Sequence, residues 1–193
     1  MDSTRATVPG SITAGTGAPE ACPEGVRVLK SAGEIADQVV RLAGEVSRDY
    51  AGECPILVGV LKGSCMFHAD LARALELEIQ LDFLKVNSYG DRLTSGTVRL
   101  QSDLATDITG RHVLVCEGVV DSGRSLSFVL DLLRGRRPAS LKVATLLDKR
   151  PCREVEVPLD YVGWTVGADF LVGYGLDAAE RYRNLPFVGV LEE

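Results

Sequence analysis

Histidine is nearly missing from this chain: His68 and His112 are the only two in 193 residues. Neither has a Cys or His partner at ligand spacing, so a histidine-built metal centre is excluded and both rings read as structural or solvated. Cysteine is present but has no pattern. Cys22, Cys54, Cys65, Cys116 and Cys152 are odd in number and form no C-x-x-C. That argues against a disulfide framework or a zinc site and suits a reducing cytoplasm. Long apolar runs are also missing, since the longest are strand-sized and far short of the roughly 20 residues that span a bilayer. Positive charge is in deficit. A formal net charge of −6 argues against nucleic acid or an anionic membrane surface as the main partner.

With 46% hydrophobic and 25% charged residues, the chain describes a globular domain with room for a real core. Residues 1–26 carry Ser, Thr, Gly, Pro and Ala without an apolar core and read as a flexible tail, leaving 27–193 as the folded domain. Ser31-Ala-Gly-Glu34 is a capping box opening a helix to about Asp49, with Ile35, Val39, Leu42 and Val46 on one face. Pro55–Val60 is a buried strand running into Leu61-Lys62-Gly63-Ser64 and a helix with Phe67, Leu71, Ala74 and Leu75 on one side. Alternation over Ile79–Val86 marks another strand. A polar stretch follows, from Asn87-Ser88-Tyr89-Gly90 to Asp107 with a short strand at Thr97–Leu100, and segments of that length are often lids.

The most telling stretch is 113–134. Val113–Cys116 is a continuous apolar strand, and Leu126, Val129, Leu130 and Leu133 then fall at i, i+3, i+4 and i+7 of an amphipathic helix. Between them, Asp121-Ser122-Gly123-Arg124-Ser125 offers small residues whose N–H groups can converge at the positive end of the helix, a loop suited to phosphate. An ordinary strand-to-helix turn would use the same residue types. Gly118–Ser125 also spells G-x-x-x-x-G-R-S, yet a P-loop would need a Lys at Arg124 and would not place Asp121 inside an anion cradle.

Glu117-Gly118-Val119-Val120-Asp121-Ser122-Gly123-Arg124-Ser125 resembles the ribose-phosphate signature of the type I phosphoribosyltransferases. That family's signature has two acids, two aliphatics, then Asp, Ser/Thr, Gly, a basic residue and Thr/Ser. One position departs, because Gly118 stands where the second acid belongs. Three further segments are similar to bacterial hypoxanthine-guanine phosphoribosyltransferases in the same order: Leu61-Lys62-Gly63, Ser88-Tyr89, and the closing run from Asp169-Phe170-Leu171 through Asp177 to Arg183.

The resemblance implies an α/β fold, doubly wound on a largely parallel sheet, with a small C-terminal hood over the purine. It implies that Glu117, Asp121, Ser122, Gly123, Arg124 and Ser125 hold phosphoribosyl pyrophosphate (PRPP), with Asp121 as general acid/base. Leu61, Lys62, Gly63 and Arg183 would bind pyrophosphate, with the Leu61–Lys62 peptide cis, while Ser88 and Tyr89 form a closing lid. Lys149, Phe170, Leu171 and Asp177 would surround the purine, Lys149 reading the exocyclic oxygen of a 6-oxopurine. The cofactor would be Mg²⁺ at Glu117 and Asp177, and the assembly a homodimer or homotetramer. A phosphoribosyltransferase for a modified purine such as a deazapurine would share every motif. The missing acid at Gly118 also keeps a non-catalytic nucleotide-binding regulator open. If the acid is simply lost, Gly118→Asp would lower the KM for PRPP.

Overall fold

The computed structural model describes residues 22–89 and 97–192, apart from the side chains of residues 88, 89 and 97. A six-stranded sheet is built from β2 (Ile56–Leu61), β3 (Gln80–Tyr89), β4 (Thr97–Ser102), β5 (His112–Val120), β6 (Ser140–Asp148) and β7 (Tyr161–Thr165). Its spatial order is β4-β3-β2-β5-β6-β7. All neighbours run parallel except the β3–β4 hairpin. Helices α1 (Ala32–Asp49) and α2 (Cys65–Ala74) cover one face, and α3 (Arg124–Arg134) covers the other.

The reason for this double cover is visible in β5. Leu114 and Cys116 pack among α1 and α2, while Val113 and Val115 pack with Leu126, Val129, Leu130 and Leu133 of α3. A strand buried on both faces needs an unbroken apolar run. The helix faces expected from periodicity are the buried ones: Ile35, Val39, Leu42 and Val46 on α1, Phe67 and Leu71 on α2. The capping box is formed, with Ser31 N–H donating to Glu34 Oε2 at 2.9 Å and Glu34 N–H donating to Ser31 Oγ at 3.3 Å. Both histidines serve the fold, His68 Nε2 meeting the Leu57 carbonyl at 3.2 Å and His112 Nδ1 meeting Ser140 Oγ at 2.8 Å. All five cysteines are free, and among the described residues no helix is long and apolar enough to cross a membrane.

The chain leaves β2 toward β3 on one side and returns to β5 on the other, so the strand order reverses between β2 and β5. In open α/β sheets the crevice beyond the carboxyl ends at such a reversal is where ligands bind. Here it lies between the loop after β2 and the loop after β5.

A second sheet, in the order β1-β9-β8, is made from β1 (Val26–Lys30), β8 (Leu171–Val172) and β9 (Val188–Leu191). This is the hood, formed from segments near both ends of the folded region, and its Leu171, Tyr174, Leu176, Val188 and Val190 join the core on the α1/α2 side.

Three boundaries differ from the sequence reading. Val26 already pairs with Leu191 in β1, so the expected 1–26 tail overlaps the hood; five residues whose partner lies at the far end of the chain give no local signal. Residues 1–21 of that tail fall outside the described residues. Strand β3 continues through Ser88 and Tyr89, which pair with Val98 and Thr97, because a hairpin ladder satisfies the backbone whether or not the side chains alternate. Side-chain placement of the expected lid pair lies outside the described residues, as do residues 90–96. Finally β5 runs on to Val120, which puts Glu117 and Gly118 inside the strand.

Candidate active site

The crevice at the strand-order reversal is a cavity of about 720 Å³, and every contributing element except the β3–β4 hairpin brings residues singled out from sequence. The loop after β2 supplies Leu61, Lys62 and Gly63, and β5 with its following loop supplies Glu117, Asp121 and Ser125. Lys149, one residue beyond β6, projects into it, and the hood closes the far side with Phe170, Leu171, Asp177 and Arg183. A smaller adjoining cavity of about 120 Å³ is lined by Ser122 and Gly123 together with Glu117, Asp121 and Ser125.

The small cavity is shaped by backbone. Gly123 caps α3 in the left-handed region at φ 84°, and a Cβ there would sit 2.3 Å from the Val155 carbonyl oxygen, so glycine is required twice over. The segment 153–155 supports the loop from beneath: the N–H groups of Glu154 and Val155 both donate to the Ser122 carbonyl at 2.9 Å. Under Gly123 lies Arg153, paired with Asp148. These two side chains are only 3% and 7% exposed, and among the described residues Nε and Nη1 of Arg153 have no hydrogen-bond partner. Arg124, in contrast, turns outward, its Nε and Nη2 donating to Glu154 Oε2 at 2.7 and 2.5 Å. It lines neither cavity. With its basic side chain on an exposed Glu and Asp121 in the concavity, the loop has neither cation nor cradle of a P-loop. What Arg124 can offer an anion is its backbone N–H at the start of α3.

In the larger cavity, Lys149 Nζ stands 3.1 Å from Asp121 Oδ2. The lysine side chain is 9% exposed, so its ammonium, with donors and no acceptor, is held by Asp121 at the base of the cavity. Phe170 is 44% exposed at the rim. Glu117 is half-buried, and burial pushes its carboxyl up to about 8, only weakly opposed by the Gly118 N–H. The Leu61–Lys62 peptide is cis, and buried Ser64 anchors the loop by donating to the Val60 carbonyl at 2.7 Å.

At the hood, Arg183 Nη2 lies 2.8 Å from Asp177 Oδ1 and 3.4 Å from Glu180 Oε1, and Nη1 donates to the Gly175 carbonyl at 2.8 Å. Glu180 Oε2 in turn lies 2.8 Å from Lys62 Nζ. Glu180 was not singled out from sequence. Its signal is the spacing by threes in Asp177, Glu180 and Arg183. Asn87 and Gln101, polar residues of the β3–β4 hairpin that also face the cavity, carried no comparable signal.

Residues 26–179 match the model of the phosphoribosyl transferase domain. This chain belongs to that family. Among similar phosphoribosyltransferases, the hypoxanthine-guanine phosphoribosyltransferase of Streptococcus pneumoniae is 46% identical over 86% of this chain and 93% of its own. That of Bacillus subtilis is 44% identical over 86% and 93%. A crystal structure of a hypoxanthine phosphoribosyltransferase from Staphylococcus aureus superposes with a TM-score of 0.83 at 37% identity, covering 86% of this chain and 91% of that one.

The point where this phosphoribosyltransferase leaves the family signature now has a physical reason. A Cβ on Gly118 would lie 2.7 Å from the Gly63 carbonyl oxygen, 3.2 Å from its carbon and 3.4 Å from Leu176 Cδ2. The same oxygen lies 2.5 Å from a Cβ built on Gly175, where φ is 95°. The loop after β2 therefore seats its carbonyl between two glycines, one on β5 and one on the hood. This overturns the sequence expectation for Gly118→Asp, since the added side chain has to displace the Lys62–Gly63 loop before it reaches any ligand. Gly118→Ala, which adds only the Cβ, is expected to destabilise the fold by about 1–3 kcal/mol, the usual range for overpacking. It should raise rather than lower the KM for PRPP. Thermal denaturation and initial-rate kinetics check both parts; an unchanged KM would show that the loop yields freely.

The donor set fits a hard cation bound partly through its substrate. Glu117 and Asp177 reach the same cavity, and no group of three His, Cys, Asp or Glu able to hold a metal exists among the described residues. One or two carboxylates, with phosphate and hydroxyl oxygens completing the shell, is the usual arrangement for Mg²⁺.

Proposed function

We propose that the protein transfers the 5-phosphoribosyl group of PRPP to a 6-oxopurine, hypoxanthine or guanine, releasing pyrophosphate as a purine-salvage enzyme. The observation that carries the choice of base is the Lys149–Asp121 pair at 3.1 Å in a cavity rimmed by the exposed ring of Phe170. O6 and N7 of a 6-oxopurine lie side by side on one edge. An ammonium and a carboxylate match that edge when the base carries its imidazole proton on N7, Lys149 donating to O6 and Asp121 accepting from N7–H. A 6-aminopurine presents a donor at the same place, which a lysine cannot accept.

In this reading the 5′-phosphate sits in the 121–125 loop and is held by its N–H groups at the start of α3. Lys62 and Arg183 neutralise charge as the C1′–O bond to pyrophosphate breaks, and Glu117 faces the ribose hydroxyls. As the new bond forms from C1′ to the purine nitrogen, the base loses a proton that the Asp121 carboxylate accepts. Glu117 and Asp177 would hold Mg²⁺, which when bound supplies charge neutralisation at the diphosphate. Phe170 stacks on the base, the backbone at Leu171 reads its edge, and Ser88 and Tyr89 belong to the closing hairpin that keeps water out. A cytoplasmic location and a homodimeric or homotetrameric state belong to the same reading.

The test is nucleotide formation from PRPP and Mg²⁺ with hypoxanthine, guanine, xanthine, adenine and a 7-deazapurine offered separately. Hypoxanthine and guanine should turn over with release of pyrophosphate, and adenine should fail. Adenine used as well as hypoxanthine would remove Lys149 as the reader of O6. Turnover of the deazapurine alone would move the enzyme to modified purines.

A further inference from the structure

Glu180 has no task in the reaction just described, yet it touches both cations assigned to the leaving group. One carboxylate oxygen lies 2.8 Å from Lys62 Nζ and the other 3.4 Å from Arg183 Nη2. Lys62 belongs to the loop after β2 and Arg183 to the hood, so a single carboxylate ties the two walls of the cavity together across its mouth. The backbone that places it is unusual: Ala179, Glu180 and Tyr182 have φ of 49°, 65° and 73°, a left-handed conformation that non-glycine residues adopt at a cost. The Glu180 N–H is fastened to Asp177 Oδ2 at 2.9 Å. Lys62 and Arg183 hold the Glu180 carboxyl below its usual range.

A carboxylate bridging two cations with its two oxygens uses the donors that a diphosphate would use with two of its phosphoryl oxygens. Both cannot hold them at once. The Glu180 side chain is 65% exposed and Lys62 is 47% exposed, so the bridge is a solvated one that water can replace when it opens, and exposed ion pairs of this kind are weak. A weak, intramolecular anion at that place is displaced by a diphosphate and returns when the diphosphate leaves.

We propose that Glu180 is a built-in competitor for the pyrophosphate subsite. It neutralises Lys62 and Arg183 in the ligand-free enzyme, raises the concentration of PRPP or pyrophosphate needed to fill the site, and helps expel pyrophosphate after transfer. The inference rests on the phosphoribosyl-transfer reading. Its consequence is a specific asymmetry: diphosphate-bearing ligands feel Glu180, whereas the nucleoside monophosphate product, which leaves that subsite empty, does not.

The experiment measures binding of pyrophosphate, and separately of inosine or guanosine monophosphate, to the full chain with Mg²⁺ by calorimetry. Wild type is compared with Glu180→Gln, Glu180→Ala and Asp169→Asn. Asp169 is a carboxylate of the same hood that makes no ion pair with either cation among the described residues, and it controls for loss of negative charge in general. Both Glu180 variants should bind pyrophosphate about 3- to 10-fold tighter, the range expected when one or two exposed pairs no longer compete. Monophosphate affinity should stay within about 2-fold by the same reasoning, and Asp169→Asn should stay near wild type. If pyrophosphate release limits turnover, kcat falls as affinity rises. Unchanged or weaker pyrophosphate binding in both Glu180 variants overturns the proposal while leaving phosphoribosyl transfer intact. An equal gain in Asp169→Asn also overturns it, by showing a general charge effect. A wild-type protein that binds no pyrophosphate and makes no nucleotide overturns both readings.

Discussion

Asp121→Asn should lower kcat by about 10²- to 10⁴-fold, the usual worth of a positioned general acid/base, with a much smaller change in the KM for PRPP. In the proposed reading the 5′-phosphate is held by backbone N–H groups of the 121–125 loop, which the substitution leaves in place. Lys149 gives the variant a second effect. Its side chain is 9% exposed and Asp121 is the carboxylate paired with it, so an asparagine leaves the ammonium without the charged partner that aims it at the base. Loss of turnover should therefore come with weaker discrimination against adenine. Initial rates with hypoxanthine and adenine over a PRPP series separate the two. A kcat within a few fold of wild type would remove Asp121 from proton transfer.

The second large effect is structural and lies one layer beneath the phosphate loop. Asp148→Ala removes the partner of Arg153 where both side chains are almost fully buried. Among the described residues Arg153 Nε and Nη1 have no hydrogen-bond partner, so the variant strands a whole guanidinium. Breaking a buried pair from one side typically costs about 3–5 kcal/mol, which for a chain of this size lowers Tm by roughly 6–20 °C. Replacing both members, as in Asp148→Leu with Arg153→Met, should recover most of that loss, because a well-packed apolar pair is often as stable as the ion pair it replaces. Its kinetics would remain impaired if Arg153 shapes the loop through its contact with Gly123. Calorimetric melting of the single and double variants decides the first point and the KM for PRPP the second. A single variant melting within about 2 °C of wild type, less than 1 kcal/mol by that conversion, would mean that water reaches Arg153.

Much of the fold could be read where local pattern and global burial coincide. β5 and α3 carry their burial on their faces, as an apolar run and as a stripe at helical spacing, and the small residues between them line the smaller cavity. The positions of Lys62, Asp121, Lys149, Phe170 and Arg183 followed from resemblance to family motifs, and the structure gathers all five around one cavity. What stayed hidden depends on contacts across the chain. Nothing near Gly118 in sequence says that the Gly63 carbonyl occupies the space a side chain would need. Arg124 fits a phosphate motif by type, but its side chain follows Glu154, thirty residues on. Glu180 gains its meaning only because a loop from residue 62 reaches it. Asp148 and Arg153 look like ordinary strand-end charges until the phosphate loop is laid over them.

The hood joins the first strand of the folded region to the last. Val26 pairs with Leu191, and Arg27 reaches Glu192 across 165 residues of chain. During synthesis the six-stranded sheet is complete by Thr165, with both loops of the β2/β5 crevice already in place, while β1 waits exposed for a partner not yet made. The loops after β2, β5 and β6 are thus made before the hood that closes the cavity over them. Since contacts this distant in sequence are the slow ones to form, the nascent chain passes through a stage in which Lys62, Asp121 and Lys149 are made but Phe170, Asp177 and Arg183, which complete the cavity, are not.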